Sequence, residues 1–390
     1  MEPALGRWTA EDLEIALVAL LDETGYDNAE IAALIGKSLA TVTRRLREAK
    51  ERRWLTARTM FTGPAELRTE SPALLPDRDL VDRLREDEGF ARIERVVVVP
   101  MPSRRARLST PDRLARIGRF YAPYLSAYLS AGAHTVGLHF GSSVRALVES
   151  LAASPNGQTL FFPLLGILSM SPDNPYHRIA YETGANFLAR MAAERTGGQD
   201  AARLSVPAFI PREFADKPEE LDTVWRFLRA DRSYSTIFGP HSRDHAGREM
   251  TPLIDQADTM ITGVGGLESE GSFLRLSGLV TPEDRPRLEA LGVIGDLGTH
   301  LVTEDGIVEP STDPSDEVGS LNSLVVGASP HHLIACAKRR RDTGEGLGTV
   351  VLTTGEAKAR PLIAAARLGA ISELVTDALT MKSILRVLGR

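Results

Sequence analysis

The chain has 390 residues, 43% of them hydrophobic and 25% charged, with a net charge of −6 and a single cysteine. That length exceeds one ordinary core and points to two or three domains of globular composition, neither disordered nor low in complexity. One thiol excludes an internal disulfide and a cysteine-based metal site, so a reducing, cytoplasmic setting is expected.

Cys336 sits in the apolar run Leu333–Ala337 and reads as a small buried residue, with a reactive thiol as the alternative. Met1-Glu2-Pro3-Ala4 does not read as a secretion signal, and no apolar stretch approaches the ~20 residues of a membrane helix. No metal or organic cofactor is expected.

In chain order, the first predicted element is a helix over residues 10–24, where Leu13, Ala16, Leu17, Leu20 and Leu21 recur at helical spacing behind a capping Thr9. Asn28 is the expected cap of a second helix, Ala29–Leu34, which Gly36 ends. Ser38 opens a third, from Leu39 to about Arg53, with Val42, Leu46 and Ala49 on its inner face. Two short helices across a glycine-containing turn form a helix-turn-helix pattern. Charge supports that reading: residues 1–36 hold eight acidic side chains and one basic, whereas residues 37–58 hold eight basic and two acidic. A local basic excess reaches phosphates even on an acidic chain. The third helix therefore offers Ser38, Leu39, Ala40, Thr41, Thr43, Arg44, Arg45 and Arg47 to double-stranded DNA, small side chains near base edges and arginines to guanine or phosphate. A solvated basic helix is the plainer alternative. The expected domain limits are a head over 1–58, a proline-punctuated linker over 59–92, and a large domain over 93–390.

From Ile93 short apolar runs alternate with helical stretches. Expected strands are Arg95–Val99, His134–Leu138, Thr159–Pro163, Arg203–Val206, Thr259–Thr262, Ser323–Val326, Thr349–Leu352 and Glu373–Val375. Expected helices include Arg113–Leu129, Ser143–Ala152, Ile179–Arg195, Pro218–Ala230 and Ala357–Leu368. This alternation predicts an α/β domain with a doubly wound, mostly parallel sheet, whose ligands bind beyond the strand C-termini.

Four loops follow predicted strands or lie between them. Gly141, Ser142 and Ser143 open a helix with hydroxyls and N–H groups, as an anion site does, although a plain helix cap reads the same way. Gly263-Val264-Gly265-Gly266 permits close backbone approach or makes a turn. Asp296, in the predicted loop Leu291–Leu297, accepts from sugar hydroxyls or caps a turn. Lys358 stands at a helix start, where the dipole favours anions, and so fits a ligand anion or a solvated surface.

Taken together, these pieces resemble the SorC family of sugar-responsive bacterial transcriptional regulators, from about residue 11 to the end. The resemblance is carried by the Gly137–Val144 loop, Leu204-Ser205-Val206-Pro207-Ala208-Phe209, Gly263-Val264-Gly265, Leu291–Leu297, and Gly355-Glu356-Ala357-Lys358 leading to Leu374-Val375-Thr376-Asp377. It implies an effector domain similar to sugar-phosphate isomerases and deaminases, and assembly as a homodimer or homotetramer. It also implies that Gly141, Ser142, Ser143 and Lys358 hold a phosphate, that Asp296 holds a sugar hydroxyl, and that Gly265 and Asn186 lie near the sugar. The chain departs from the family at Leu165-Gly166-Ile167, where a double glycine is common, and at a lengthened 173–178 loop that makes His177 and Arg178 candidate ligand contacts.

The expected function is regulation of a carbohydrate operon by a sugar, polyol or sugar-phosphate effector, without catalysis. The alternative is a sugar-phosphate isomerase or deaminase carrying a DNA-binding head.

Overall fold

The computed structural model describes residues 8–23, 26–55, 78–99, 101, 108–153, 158–168, 177–198, 201–243, 249–267 and 276–390. The linker reading over 59–77, Arg58, and the 169–176 part of the long loop lie outside them.

The head consists of α1 (Ala10–Glu23), α2 (Asn28–Ile35) and α3 (Leu39–Glu51). The Thr9 hydroxyl accepts from the Asp12 N–H and caps α1 as expected. The cap of α2 is Asp27, not Asn28. Its carboxylate accepts from the N–H groups of Ala29 and Glu30, and Glu30 accepts in turn from the Asp27 N–H, a complete capping box. Gly36 ends α2 in the left-handed region, and Ser38 caps α3 by accepting from the Thr41 N–H.

The large domain begins with α4 (Arg78–Arg85) and α5 (Glu88–Ala91), then β1 (Arg95–Val99), α6 (Thr110–Ser130), β2 (His134–Leu138), α7 (Ser142–Val148) and β3 (Thr159–Pro163). Next come α8 (His177–Glu182), α9 (Ala185–Thr196), α10 (Pro218–Ala230), α11 (Arg232–Phe238), the hairpin β4 (Ser242–Arg243) and β5 (Glu249–Met250), and α12 (Leu253–Gln256). These are followed by β6 (Thr259–Thr262), β7 (Val264–Gly266), α13 (Arg285–Ala290), β8 (Val293–Leu297), β9 (His300–Thr303), β10 (Gly306–Ile307) and α14 (Glu317–Asn322). The chain closes with α15 (Pro330–Thr343), β11 (Gly348–Leu352), α16 (Ala359–Arg367), β12 (Glu373–Asp377) and α17 (Ala378–Val387).

Six strands form a parallel sheet in the order β1-β12-β11-β6-β2-β3. Successive side chains on a strand point to opposite faces, and here they feed two separate apolar cores. Phe161, Ile261, Val350 and Val375 join one core, while their neighbours Phe162, Met260, Val351 and Leu374 join the other. A sheet covered on both faces explains the continuous apolar strands in the sequence. The strand order reverses between β2 and β6, which makes that crevice the expected ligand position in such a fold.

Several expectations change. Residues 78–92 are not linker: Leu80, Leu84 and Phe90 are buried in the large domain's core, and a Cβ at Gly89 would stand 2.8 Å from the Arg367 backbone. Arg203–Val206 forms no strand, the bridge of Ile167 falling on Pro207 just beyond it, and Ser323–Val326 yields only the isolated bridge of Val325 with Phe209. Pro207 has no N–H to extend a ladder, and Ser323 closes α14. The expected helix Ile179–Arg195 breaks at Thr183-Gly184 into α8 and α9. Loops two and three are in fact strands, since β7, β8, β9 and β10 form an antiparallel sheet in the order β10-β9-β8-β7.

Candidate functional site

In the head, α3 shows solvent a coherent set of side chains. Leu39, Ala40, Thr43, Arg44 and Arg47 are exposed, with Arg44 at 54% and Arg47 at 71%, and Thr41 is half-buried. Ser38 is exposed but holds the helix start together with Thr41, and Thr43 bonds back to the Leu39 carbonyl. Arg45 is the exception and corrects the sequence reading. It is buried, and its guanidinium donates to Glu14 at 2.7 Å, Glu11 at 2.5 Å and Glu48 at 2.7 Å. A charge held by three carboxylates fastens α3 to α1 and offers nothing to DNA. The sequence signal for it was Glu11 and Glu14, one helical turn apart on α1.

The second site is built from loops beyond the C-terminal ends of β2, β6 and β11. Two of them turn on glycines in backbone regions that other residues rarely enter: Gly141 at φ 137° and Gly355 at φ 120°. Gly141 sets α7 so that Ser142 and Ser143 lie in its first turn, although the Gly141 N–H itself is engaged by the Thr183 carbonyl. Ser143 is buried, and its hydroxyl lies close to the turn at Gly263, where a Cβ would come within 3.8 Å of it.

From Gly263 the chain runs into β7, where Gly265 stands opposite Asp296 of β8. A Cβ at Gly265 would collide with the Asp296 carboxylate, so this glycine supplies the room that the acid fills. The next residue, Gly266, lies against the Ala357 carbonyl, with 2.7 Å to a built Cβ, and Lys358 follows Ala357 directly. Contacts thus run from Ser143 through Gly263, Gly265 and Asp296 to Lys358. Ser143 of α7, Gly263 and Lys358 lie along one wall with Gly265 of β7 and Asp296 of β8.

The electrostatics of this wall are those of a site in want of a polar partner. Asp296 is 6% exposed, and its Oδ2 has no hydrogen-bond partner among the described residues. Burial raises its pKa to about 6, against the lowering effects of Lys358 and of the Thr299 N–H. Enclosure by protein lowers the pKa of Lys358, which the Asp296 charge opposes. The two attract but form no ion pair within 4 Å, and Lys358 has no other ion pair among the described residues. Buried polar groups are nearly always satisfied, so an acid with one unpartnered oxygen beside a lysine without an ion pair makes this wall a candidate site. Thr353, at the end of β11, also buries a hydroxyl without a described partner, and Thr299 is held at φ 64° in the turn beyond Asp296. Sequence reasoning missed both, because nothing marks one buried threonine among many.

The remaining candidates lie elsewhere. Asn186 is committed to the backbone, its amide donating to the Leu204 carbonyl at 3.2 Å and accepting from the Leu204 N–H at 2.9 Å. It lines a separate groove of about 820 Å³ along α9, whose walls include none of Gly141, Ser143, Asp296 or Lys358. Asn186 therefore stands apart from the wall that joins Ser143, Asp296 and Lys358. Arg178 is 86% exposed and pairs with Glu182, which also holds Arg145 of α7. His177 opens α8 beside it. Cys336 is buried, and burial raises its thiol pKa to about 11, which fits the inert reading. Among the described residues no helix is long and apolar enough to cross a membrane.

Residues 79–217 match the Sugar-bind family, described as "Putative sugar-binding domain". No curated protein matches the chain. Among solved structures, the full-length sorbitol operon regulator SorC from Klebsiella pneumoniae is 18% identical, with a TM-score of 0.56 over 96% of this chain and 99% of that one. A DeoR family transcriptional regulator from Listeria monocytogenes is 20% identical, with a TM-score of 0.56 over 79% and 99%. A transcriptional regulator from Streptococcus pneumoniae is 14% identical, with a TM-score of 0.55 over 80% and 98%. The resemblance to SorC-type regulators and the α/β class are borne out at the level of fold.

Proposed function

We propose that this chain is a DNA-binding transcriptional regulator whose large domain senses a sugar, polyol or sugar phosphate. The observation that carries the reading is the union of two sites in one chain. One is a capped recognition helix showing Leu39, Ala40, Thr43, Arg44 and Arg47. The other is a wall where buried Asp296 and unpaired Lys358 await a polar ligand within a sugar-binding-like fold.

The division of labour follows from the chemistry. Ser142, Ser143, the first turn of α7 and Lys358 suit an anionic group, and Asp296 and Thr353 suit hydroxyls. Two heads in a dimer or tetramer would read half-sites about one helical turn apart. The test of the sensing half is a thermal-shift screen of sugars, polyols and sugar phosphates. A true ligand raises the melting temperature further as its concentration climbs above its Kd, and Lys358→Met removes the shift for phosphorylated ligands only. No shift with any of them would contradict the reading.

One observation favours a second reading, a sugar-phosphate isomerase or deaminase: an acid with a pKa of about 6 beside a lysine is poised for proton transfer. The charged group that acts on Asp296 is Lys358. Turnover of the ligand found in the screen, absent in Asp296→Asn, would establish that reading in place of the first.

A further inference from the structure

Three features take no part in the two sites, two half-buried arginines and one close backbone contact, and all three lie on α6. Near its start, Arg113 donates to both carboxylate oxygens of Asp377, at 2.7 and 2.8 Å, and to the Thr380 hydroxyl. Asp377 is wholly buried at the end of β12. It also accepts from the Thr354 hydroxyl and from the Thr380 N–H, while the Thr380 hydroxyl accepts from the Gly355 N–H. Arg113 therefore grips, through one carboxylate and one hydroxyl, the loop that ends in Lys358.

Halfway along, α6 meets the other ligand loop. Gly118 lies so close to α7 that a Cβ there would collide with the Ala146 carbonyl. The helix that opens with Ser142 and Ser143 thus rests directly on the α6 backbone.

On the stripe that Arg113 begins, Arg116, Ile117 and Phe120 follow at helical spacing. Ile117 and Phe120 belong to the same apolar cluster as the head's Ile15, Leu17, Leu21 and Tyr26. Arg116 buries one guanidinium nitrogen without a described hydrogen-bond partner and lies within electrostatic reach of Tyr26 and Glu30 at the start of α2. The head's own helix carries the matching sign. Residues Ile15 to Leu21 of α1 are each no more than 2% exposed, so α1 is buried on all sides, and not only on the stripe facing α2 and α3.

We propose that α6 is the element that couples the effector site to the DNA-binding head, with Arg113 as the positioning residue that ties it to the Thr354–Lys358 loop. The inference rests on the regulator reading for its purpose. A ligand anion that draws Lys358 inward pulls on Gly355 and Thr354, hence on Asp377 and Arg113. A packed helix passes such a shift on as a rigid body, because its interfaces do not deform continuously. The head, which shares an apolar cluster with that stripe, is then displaced or released.

Amide hydrogen exchange on the full chain, without sugar or DNA, tests this. In Arg113→Gln, exchange is expected to rise about threefold or more both at Gly355–Lys358 and at Tyr26–Ile35, with α15 unchanged as an internal control. Arg113→Lys, which keeps the charge, should restore part of the protection at both places. The reverse perturbation is Glu30→Gln, which keeps the α2 cap but removes one of the charges acting on Arg116; it should raise exchange at Gly355–Lys358. If exchange rises in the loop while the head stays at the parental rate, or if neither segment changes in folded Arg113→Gln, the coupling is overturned. If Arg113→Gln does not fold, Glu30→Gln decides from the other end: a rise in the loop supports the coupling and a parental rate refutes it. Neither DNA nor sugar enters the measurement, so it can fail while operator binding stands, and operator binding can fail while it succeeds.

Discussion

Replacing Asp296 with Asn isolates the energetic cost of burying its carboxylate. The folded protein holds this carboxyl at a pKa of about 6, against 3.8 for the free group, because burial disfavours its charge. A folded pKa raised above the unfolded one contributes stability that is complete below about pH 3.8 and is lost as pH rises through about 6. With 1.36 kcal/mol per pKa unit, the loss reaches about 3 kcal/mol by pH 8, about half of that near pH 5, and well under 1 kcal/mol near pH 4. Asn cannot ionise and escapes the loss. Urea unfolding of both proteins without ligand, from pH 4 to pH 8, should show the variant gaining about 2.5 kcal/mol on the parent across the range while losing sugar binding. A stability difference that stays flat with pH would show that Asp296 is not held in a desolvated site, and the argument for a ligand there would fall with it.

Other consequences are separable. Arg44→Ala and Arg47→Ala should each weaken operator binding and flatten its salt dependence by about one unit of the log–log slope, leaving head stability within about 0.5 kcal/mol. Arg45→Ala should instead destabilise the head by about 3 kcal/mol or more, because it leaves three carboxylates facing one another, and circular dichroism of the melting head distinguishes the two outcomes. Gly265→Ala should displace the Asp296 carboxylate and abolish the ligand-induced thermal shift, at a cost of about 1–3 kcal/mol in stability. Buried His139, kept neutral by desolvation with a pKa of about 4, destabilises the fold as pH falls from about 6.5 towards 4; His139→Gln should remove up to about 3 kcal/mol of that loss in acid unfolding.

How much of this was legible depended on whether a signal was local. The strands of the parallel sheet and the three head helices were readable within a few residues, because continuous apolar runs and period-3.6 burial are written in consecutive positions. Ser38 as a cap and Gly141 as a loop glycine were readable for the same reason. The small antiparallel sheet was not, since Val293–Leu297 reads as a glycine-broken turn until Gly265 is seen across from Asp296. The partner of each glycine is remote, and only that pairing explains why both positions must be what they are. Arg45 looked like its neighbours because its identity is that of a DNA contact, while its fate is set by two glutamates on another helix. Nor did the sequence show that the Asn186 amide is claimed by a backbone segment 18 residues away. The Arg113–Asp377 grip spans 264 residues and left no mark in the sequence.

The central claim is that one chain both reads DNA and senses a sugar. Titrating the purified protein onto duplex DNA from upstream of its own operon, at fixed low salt, with and without the ligand found by thermal shift, tests it directly. The account predicts that the ligand changes operator affinity by about 5- to 150-fold, and that the operator changes ligand affinity by the same factor, as linkage requires. Tight binding of both with no mutual effect, or no specific binding of DNA at all, would contradict it.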